Sequence, residues 1–230
     1  MTSNHRITLI KPPSRLVLPL EPPIEDMNEI HIRPLEIGDA AKTVVAIQES
    51  LQDLRKFMPF AHFPQTDALQ RTRIAKAMSS YWQGLDFAMA IAGNPGNRFI
   101  GGTGFHPRAL NPRALEIGYW VHARYARRGI ATMATRCMIV LGFHYFELER
   151  IQCGYDLANA ASKRVNEKCG LKIEGVMRKF LGAPTEEMLR NGWEGTGDME
   201  LRALVRSDVG QLAWYPAWIE RMRVYDCDGH

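Results

Sequence analysis

Cysteine is scarce, and what there is builds no framework. Cys137, Cys153, Cys169 and Cys227 are the four in the chain. They form no C-x-x-C pair and no Cys/His cluster at zinc spacing, so a disulfide scaffold and a structural metal site drop out and reduced thiols are expected. No apolar signal segment opens the chain, where His5-Arg6 and prolines stand instead, and the charge-free stretch from Cys137 to Phe146 is far short of a membrane span. A soluble, cytoplasmic protein without membrane contact is the expectation. There is no internal repeat and no G-x-x-x-x-G-K-[ST] loop, and Gly101-Gly102-Thr103-Gly104 lies inside a strand pattern without dinucleotide-loop spacing. Neither sign of charge dominates. Lys+Arg 29 against Asp+Glu 25 leaves +4, which permits an acidic partner without demanding one, and direct nucleic-acid binding is not expected.

What is present suits one core: 230 residues, 46% of them hydrophobic. Residues 1–28 hold Pro12, Pro13, Pro19, Pro22 and Pro23 and read as an extended arm, whose Leu16, Val17, Leu18 and Leu20 can pack on the body or on a second subunit. Glu29 to Leu35 alternates as a strand, and Gly38-Asp39 opens a helix with Val44, Ile47, Leu51 and Leu54 on one face. A second helix begins near Thr66-Asp67 and carries Ile74, Met78 and Tyr81. Strands over 87–92 and 98–105 flank Asn94-Pro95-Gly96-Asn97, a hairpin loop. In the strand 114–121, Leu115, Ile117, Tyr119 and Val121 share one face while Glu116, Gly118 and Trp120 share the other. After the basic turn 122–128 a helix bears Ile130, Ala134, Cys137, Met138 and Leu141 on one stripe. A strand over 151–156 then completes a right-handed βαβ crossover with parallel neighbours. A capped helix from Asn159 to Cys169, stopped by Gly170, precedes strands over 171–180 and 197–205. Residues 207–230 read as a helical tail with Trp214, Tyr215 and Trp218.

The run Arg127-Arg128-Gly129-Ile130-Ala131-Thr132 leads into a helix, and its first unpaired amides and the helix dipole suit a phosphate. A plain basic helix start is the alternative. In its second half Ala126-Arg127-Arg128-Gly129-Ile130-Ala131 matches the R/Q-x-x-G-x-G/A loop of the GNAT acetyl-CoA-dependent N-acetyltransferases, and departs from it at Ala126. With Glu116-Ile117-Gly118-Tyr119-Trp120-Val121, Asn159-Ala160-Ala161-Ser162 and Glu167-Lys168-Cys169-Gly170-Leu171 in order, residues of about 29 to 206 resemble the RimJ/RimL-type branch of that superfamily, which acetylates the α-amino termini of ribosomal proteins.

The resemblance implies an α/β (α+β) GNAT fold. Its central sheet is mixed, mostly antiparallel, six- to seven-stranded and flanked by helices, and it splays between the fourth and fifth strands, those of Tyr119 and Tyr155. It implies acetyl-CoA as co-substrate, no metal, and direct attack by an acceptor amine. An α-amine with a pKa near 8 must lose a proton before it attacks, and Glu116 is the implied general base, the alternative being a carboxylate paired to an arginine. The amides of Trp120 or Val121 are expected at the thioester oxygen. Tyr119, Trp120 and Val121 form the implied cofactor strand, Arg127, Arg128, Gly129, Ile130, Ala131 and Thr132 the phosphate loop, and Asn159 the pantetheine contact unless it is an ordinary cap. Many relatives protonate the leaving thiolate from a tyrosine where this chain has Asn166; Ser162 is the nearest substitute if it is not simply a cap-region serine, with Tyr119 and Tyr155 as further donors.

The acceptor groove is expected over 54–63 and 182–197, where Phe57, Phe60, Phe63 and Trp193 can line it and Glu186, Glu187 and Glu194 can attract a cation. A protein N-terminus is the expected acceptor, and a monomer or homodimer the expected assembly. A small-molecule amine acetyltransferase and a non-catalytic acetyl-CoA-binding module are the other readings.

Overall fold

A computed structural model describes residues 12–107 and 111–226. Its strands form one sheet in the order β7-β8-β6-β5-β4-β3-β2-β1-β9. Strands β1 (Arg15–Ile24) and β2 (Met27–Pro34) lead to helices α1 (Asp39–Glu49), α2 (Leu51–Leu54) and α3 (Asp67–Trp82). Strands β3 (Phe87–Asn94), β4 (Arg98–Pro107) and β5 (Ala114–Val121) follow as an antiparallel meander. Helix α4 (Ile130–Val140) crosses to β6 (Arg150–Asp156), which runs parallel to β5. Helix α5 (Ala160–Cys169), β7 (Lys172–Met177), the short α6 (Glu186–Arg190), β8 (Met199–Val205), α7 (Tyr215–Arg221) and β9 (Arg223–Tyr225) complete the chain. This is the mixed, mostly antiparallel, helix-flanked sheet that was expected.

The sheet is wider than six or seven strands, for a reason found at the chain ends. Residues 15–24, read from sequence as part of an arm, form β1. They pair with β2 from Leu16 opposite Ile32 onward, and Leu16, Val17, Leu18 and Leu20 are buried. The tail contributes both α7 and β9, whose Tyr225, Val224 and Arg223 pair with Arg15, Leu16 and Val17. Part of the expected arm thus packs on the body as a strand, and the described part of the expected helical tail holds three extended residues beside its helix, so that both complete the sheet edge. Residues 1–11, with His5-Arg6, and Cys227 lie outside the described residues.

Strand alternation distributes the helices. Leu115 and Ile117 of β5 enter the main core beneath α4, whose expected stripe of Ile130, Ala134, Cys137, Met138 and Leu141 is fully buried. On the opposite face Trp120 packs beside Ala46 of α1, Ala90 and Phe99. The first helix is interrupted where sequence periodicity ran on, because Ser50 leaves helical geometry and its hydroxyl accepts the Ala123 amide at 2.9 Å. A tertiary bond there overrides local propensity.

The start of α1 is held by a buried ion pair. Arg33 reaches Asp39 through two bonds of 2.7 and 2.8 Å, and Asp39 also accepts the Glu36 amide at 2.9 Å. Burial pushes the Asp39 carboxyl up, but the Arg33 guanidinium and the Glu36 amide outweigh it and hold the group below its ordinary value. Replacing Asp39 by Asn should destabilise the fold by about 3–5 kcal/mol, since one buried charge loses its partner; a shift of the urea midpoint measures this. The pair's contribution is complete above about pH 4 and is lost as pH falls through the depressed value, so the variant should also show a shallower acid limb of stability.

Candidate active site

Strands β5 and β6 pair only at Ala114, Leu115 and Glu116 opposite Arg150, Ile151 and Gln152. Beyond Glu116 they diverge, at the expected splay. A cavity of about 460 Å³ opens there, lined by Tyr119 and Trp120 of β5, Cys153 and Tyr155 of β6, and Asn159 and Ser162 at the start of α5. Burial pushes the Cys153 thiol up to about 12, so it is a neutral wall group. Phe57, Met58 and Phe60 close one side, as expected of the segment after α2, whereas Phe63 is exposed.

Backbone direction separates the amides of β5. The His122 N–H donates to Ile100 of β4 at 2.7 Å, and β4 and β5 keep an unbroken register from Gly101 opposite Val121 to Pro107 opposite Leu115. Because pairing alternates along an antiparallel ladder, the amides of Trp120 and Gly118 turn toward β4, and those of Ile117, Tyr119 and Val121 turn toward the gap. Of the two amides expected at the thioester oxygen, Val121's therefore faces the splay. Trp120's does not; its indole packs instead against Phe60 and Phe99, with ring centroids 6.1 and 5.8 Å away.

The phosphate loop is a left-handed turn. Arg127 has φ +63° and Gly129 +81°, and Gly129 is the residue immediately before α4. That conformation strains any residue with a Cβ and delivers the Ile130, Ala131 and Thr132 amides to one end of the helix. Arg128 is paired with Glu25 at 2.9 Å, which leaves Arg127 exposed at the rim.

The Asn159 side-chain oxygen caps α5 by accepting the Ser162 amide at 3.0 Å, and the same residue lines the cavity. Asn166, which stands where many relatives place a tyrosine, donates to the Tyr119 hydroxyl at 3.2 Å and to the Ser162 carbonyl at 2.9 Å. A phenol is thus brought to that place from β5. Burial pushes the Tyr119 hydroxyl far above its ordinary value, so it keeps its proton. Tyr155 donates to Glu200 and accepts from Arg202 at 2.9 Å, which engages it in a buried ionic network.

Glu116 is half-buried and accepts from Gln152 at 3.2 Å; it is not among the described residues lining the cavity. Directly across the ladder from it stands His106, which does line the cavity and which sequence reasoning missed. Its Nδ1 lies 2.9 Å from Asp86. Asp156 was missed as well: its carboxylate accepts the amides of Ala158, Thr196 and Gly197 at 2.9 to 3.0 Å and holds the loop before β8 against the cavity. The sequence signal for His106 was alternation along 98–107, but the register that sets it opposite Glu116 is a tertiary fact. The loop before β8 also meets the segment after α2, through the Glu194 amide on the Lys56 carbonyl at 3.0 Å and Trp193 against His62 at 5.9 Å. Glu186, Glu187 and Glu194 are exposed, with Glu186 facing Arg190 and Glu194 facing Lys56. Among the described residues no group of three or more His, Cys, Asp or Glu can hold a metal ion, and no helix is long and apolar enough to cross a membrane.

Known proteins resemble this chain in sequence and fold. Residues 29–172 match the family model described as an acetyltransferase (GNAT) domain. The Bacillus subtilis protein named "Putative ribosomal N-acetyltransferase YdaF" is 30% identical over 180 residues, which cover 74% of this chain and 96% of that one. Mycobacterium smegmatis RimJ, solved with a coenzyme A disulfide, superposes with a TM-score of 0.74 at 19% identity over 92% of this chain and 97% of its own. RimL solved with coenzyme A superposes with a TM-score of 0.66 at 15% identity over 80% and 96%. With a splayed β5–β6 pair, a left-handed glycine at the start of α4 and a family match over most of its length, the chain belongs to the GNAT family of acetyl-CoA-dependent acetyltransferases.

Proposed function

We propose that the protein transfers the acetyl group of acetyl-CoA to the α-amine of a protein N-terminus. The observation that carries this reading is the make-up of the acceptor side. Among the described lining residues Asp156 is the one carboxylate, and its oxygens already hold backbone amides, while Arg73 adds positive charge to the same wall. A polyamine or a polycationic antibiotic would meet no concentrated negative charge there. A single amine at the end of an extended chain needs none, and the aromatic wall of Phe57 and Phe60 suits a peptide's first side chains. The ribosomal designation of the Bacillus subtilis relative supports the same acceptor class and a cytoplasmic setting.

The chain's own groups fit the co-substrate. The gap-facing amides of Ile117, Tyr119 and Val121, with Asn159 in the cavity lining, match the amide groups of a pantetheine arm. The α4 amides from Ile130 to Thr132, with Arg127 and Arg128 at the rim, match a diphosphate. Val121's amide is placed to stabilise the thioester oxygen as the amine attacks. Ser162 and Tyr119, both at the cavity, are the groups from which the leaving thiolate can take a proton.

Acetyl-CoA at a hundred times its dissociation constant should stabilise the protein by about 2.7 kcal/mol, seen as a raised Tm. Gly129→Glu should abolish that shift, because it strains the turn and sets a carboxylate against phosphate; an unchanged shift would place the diphosphate elsewhere. Incubated with acetyl-CoA and a mixture of peptides, spermidine and an aminoglycoside, the enzyme should add acetyl groups at peptide N-termini, as mass spectrometry would show. Faster acetylation of either small amine would reject the protein-acceptor reading.

A further inference from the structure

We propose that His106, oriented by Asp86, is the group that takes the proton from the attacking amine, and that Glu116 acts beside it as a positioning carboxylate. The inference rests on acetyl transfer being the reaction, and holds for whichever amine is the acceptor.

Geometry supports each part. His106 lines the cavity and keeps about a quarter of its side chain exposed, so a substrate amine can reach it. Its Nδ1 lies 2.9 and 3.1 Å from the two Asp86 oxygens, which fixes the tautomer with hydrogen on Nδ1 and leaves Nε2 as the basic nitrogen. Among the described residues Nε2 has no hydrogen-bond partner. A Cβ built at Gly118 would lie in van der Waals contact with Nε2, 3.4 Å away, so the basic nitrogen sits over the backbone of β5 next to the gap-facing amides of Ile117 and Tyr119. Among the described residues the charged groups that face His106 or share its cavity are Asp86 from the turn before β3, Glu116 opposite it on β5, and Arg73 and Asp156 in the cavity lining. Glu116 stands one step farther from the reacting atoms, outside the cavity lining and bonded to Gln152.

The step balances without another reactant. As the amine nitrogen bonds to the thioester carbon, one of its protons passes to Nε2. The C–S bond breaks and its electron pair leaves on sulfur, which takes a proton from Ser162 or Tyr119, and that hydroxyl regains one from solvent. His106 then returns its proton to solvent, so that overall one proton has moved from amine to thiol.

The test is steady-state kinetics of full-length H106A, H106Q, D86N and E116Q, with peptide and small-amine acceptors both assayed. H106A should lose about 100-fold or more in kcat, keep the acetyl-CoA-induced rise in Tm, and regain turnover when imidazole is added, more so with more basic imidazoles. H106Q should show the same loss without rescue, and D86N a smaller loss in kcat at unchanged KM for acetyl-CoA. Activity of H106A within threefold of wild type, or a loss that imidazole leaves unchanged, would overturn the assignment. If peptides are not acetylated and a small amine is, the acceptor reading fails while His106 is judged on that amine, so the two failures are told apart.

Discussion

Everything at the active site depends on two strands being unable to stay together. β5 is tied to β4 along its full length, and β6 is tied to β8 from Arg150 to Asp156, so each is anchored from its outer side. Their mutual pairing ends at Glu116 and Gln152, after which the sheet's twist carries them apart. A parallel pair that stops early leaves backbone groups of β5 without a strand partner among the described residues, in a half-buried place. Such groups are costly unless something polar occupies the gap. The cofactor strand and the cavity are thus one structural event, and the long crossover through α4 puts its own unpaired amides at the open end of the same gap.

The walls of the gap are stiffened from behind. Tyr155, Glu200 and Arg202 form a buried chain of charge and hydrogen bonds that reaches Glu167 of α5. Burial raises the Tyr155 hydroxyl, while the same tyrosine and Arg202 hold the Glu200 carboxyl down despite its burial, so the network stays as phenol, carboxylate and guanidinium at neutral pH. It leaves β6 little freedom to close onto β5. Asp156 does the corresponding work at the end of the strand, where it ties the loop before β8.

Much of this was readable in one dimension. Period-two alternation set out β5, the stripe from Ile130 to Leu141 gave α4 its buried face, and Gly129 and Gly170 marked two of the helix boundaries at which left-handed residues are found. What resisted reading was every fact that depends on register between distant strands. Whether the Trp120 or the Val121 amide faces the gap is decided by where β4 pairs, and His106 meets Glu116 for the same reason. The break at Ser50 comes from a hydroxyl that serves Ala123, far along the chain. The proline-rich segment was legible as extended but not as a strand, because its outer partner lies more than two hundred residues away.

That last pairing has a consequence for how the molecule is made. The outer edge of β1 carries an unfilled ladder of donors and acceptors until residues 223–225 arrive, so during synthesis the first strand waits almost the whole length of the chain for its neighbour. Pro19, Pro22 and Pro23 lie beyond the stretch that β9 covers and supply no N–H to a passing strand. The same prolines that disguise β1 as a loose arm in the sequence blunt the part of its edge that β9 leaves uncovered.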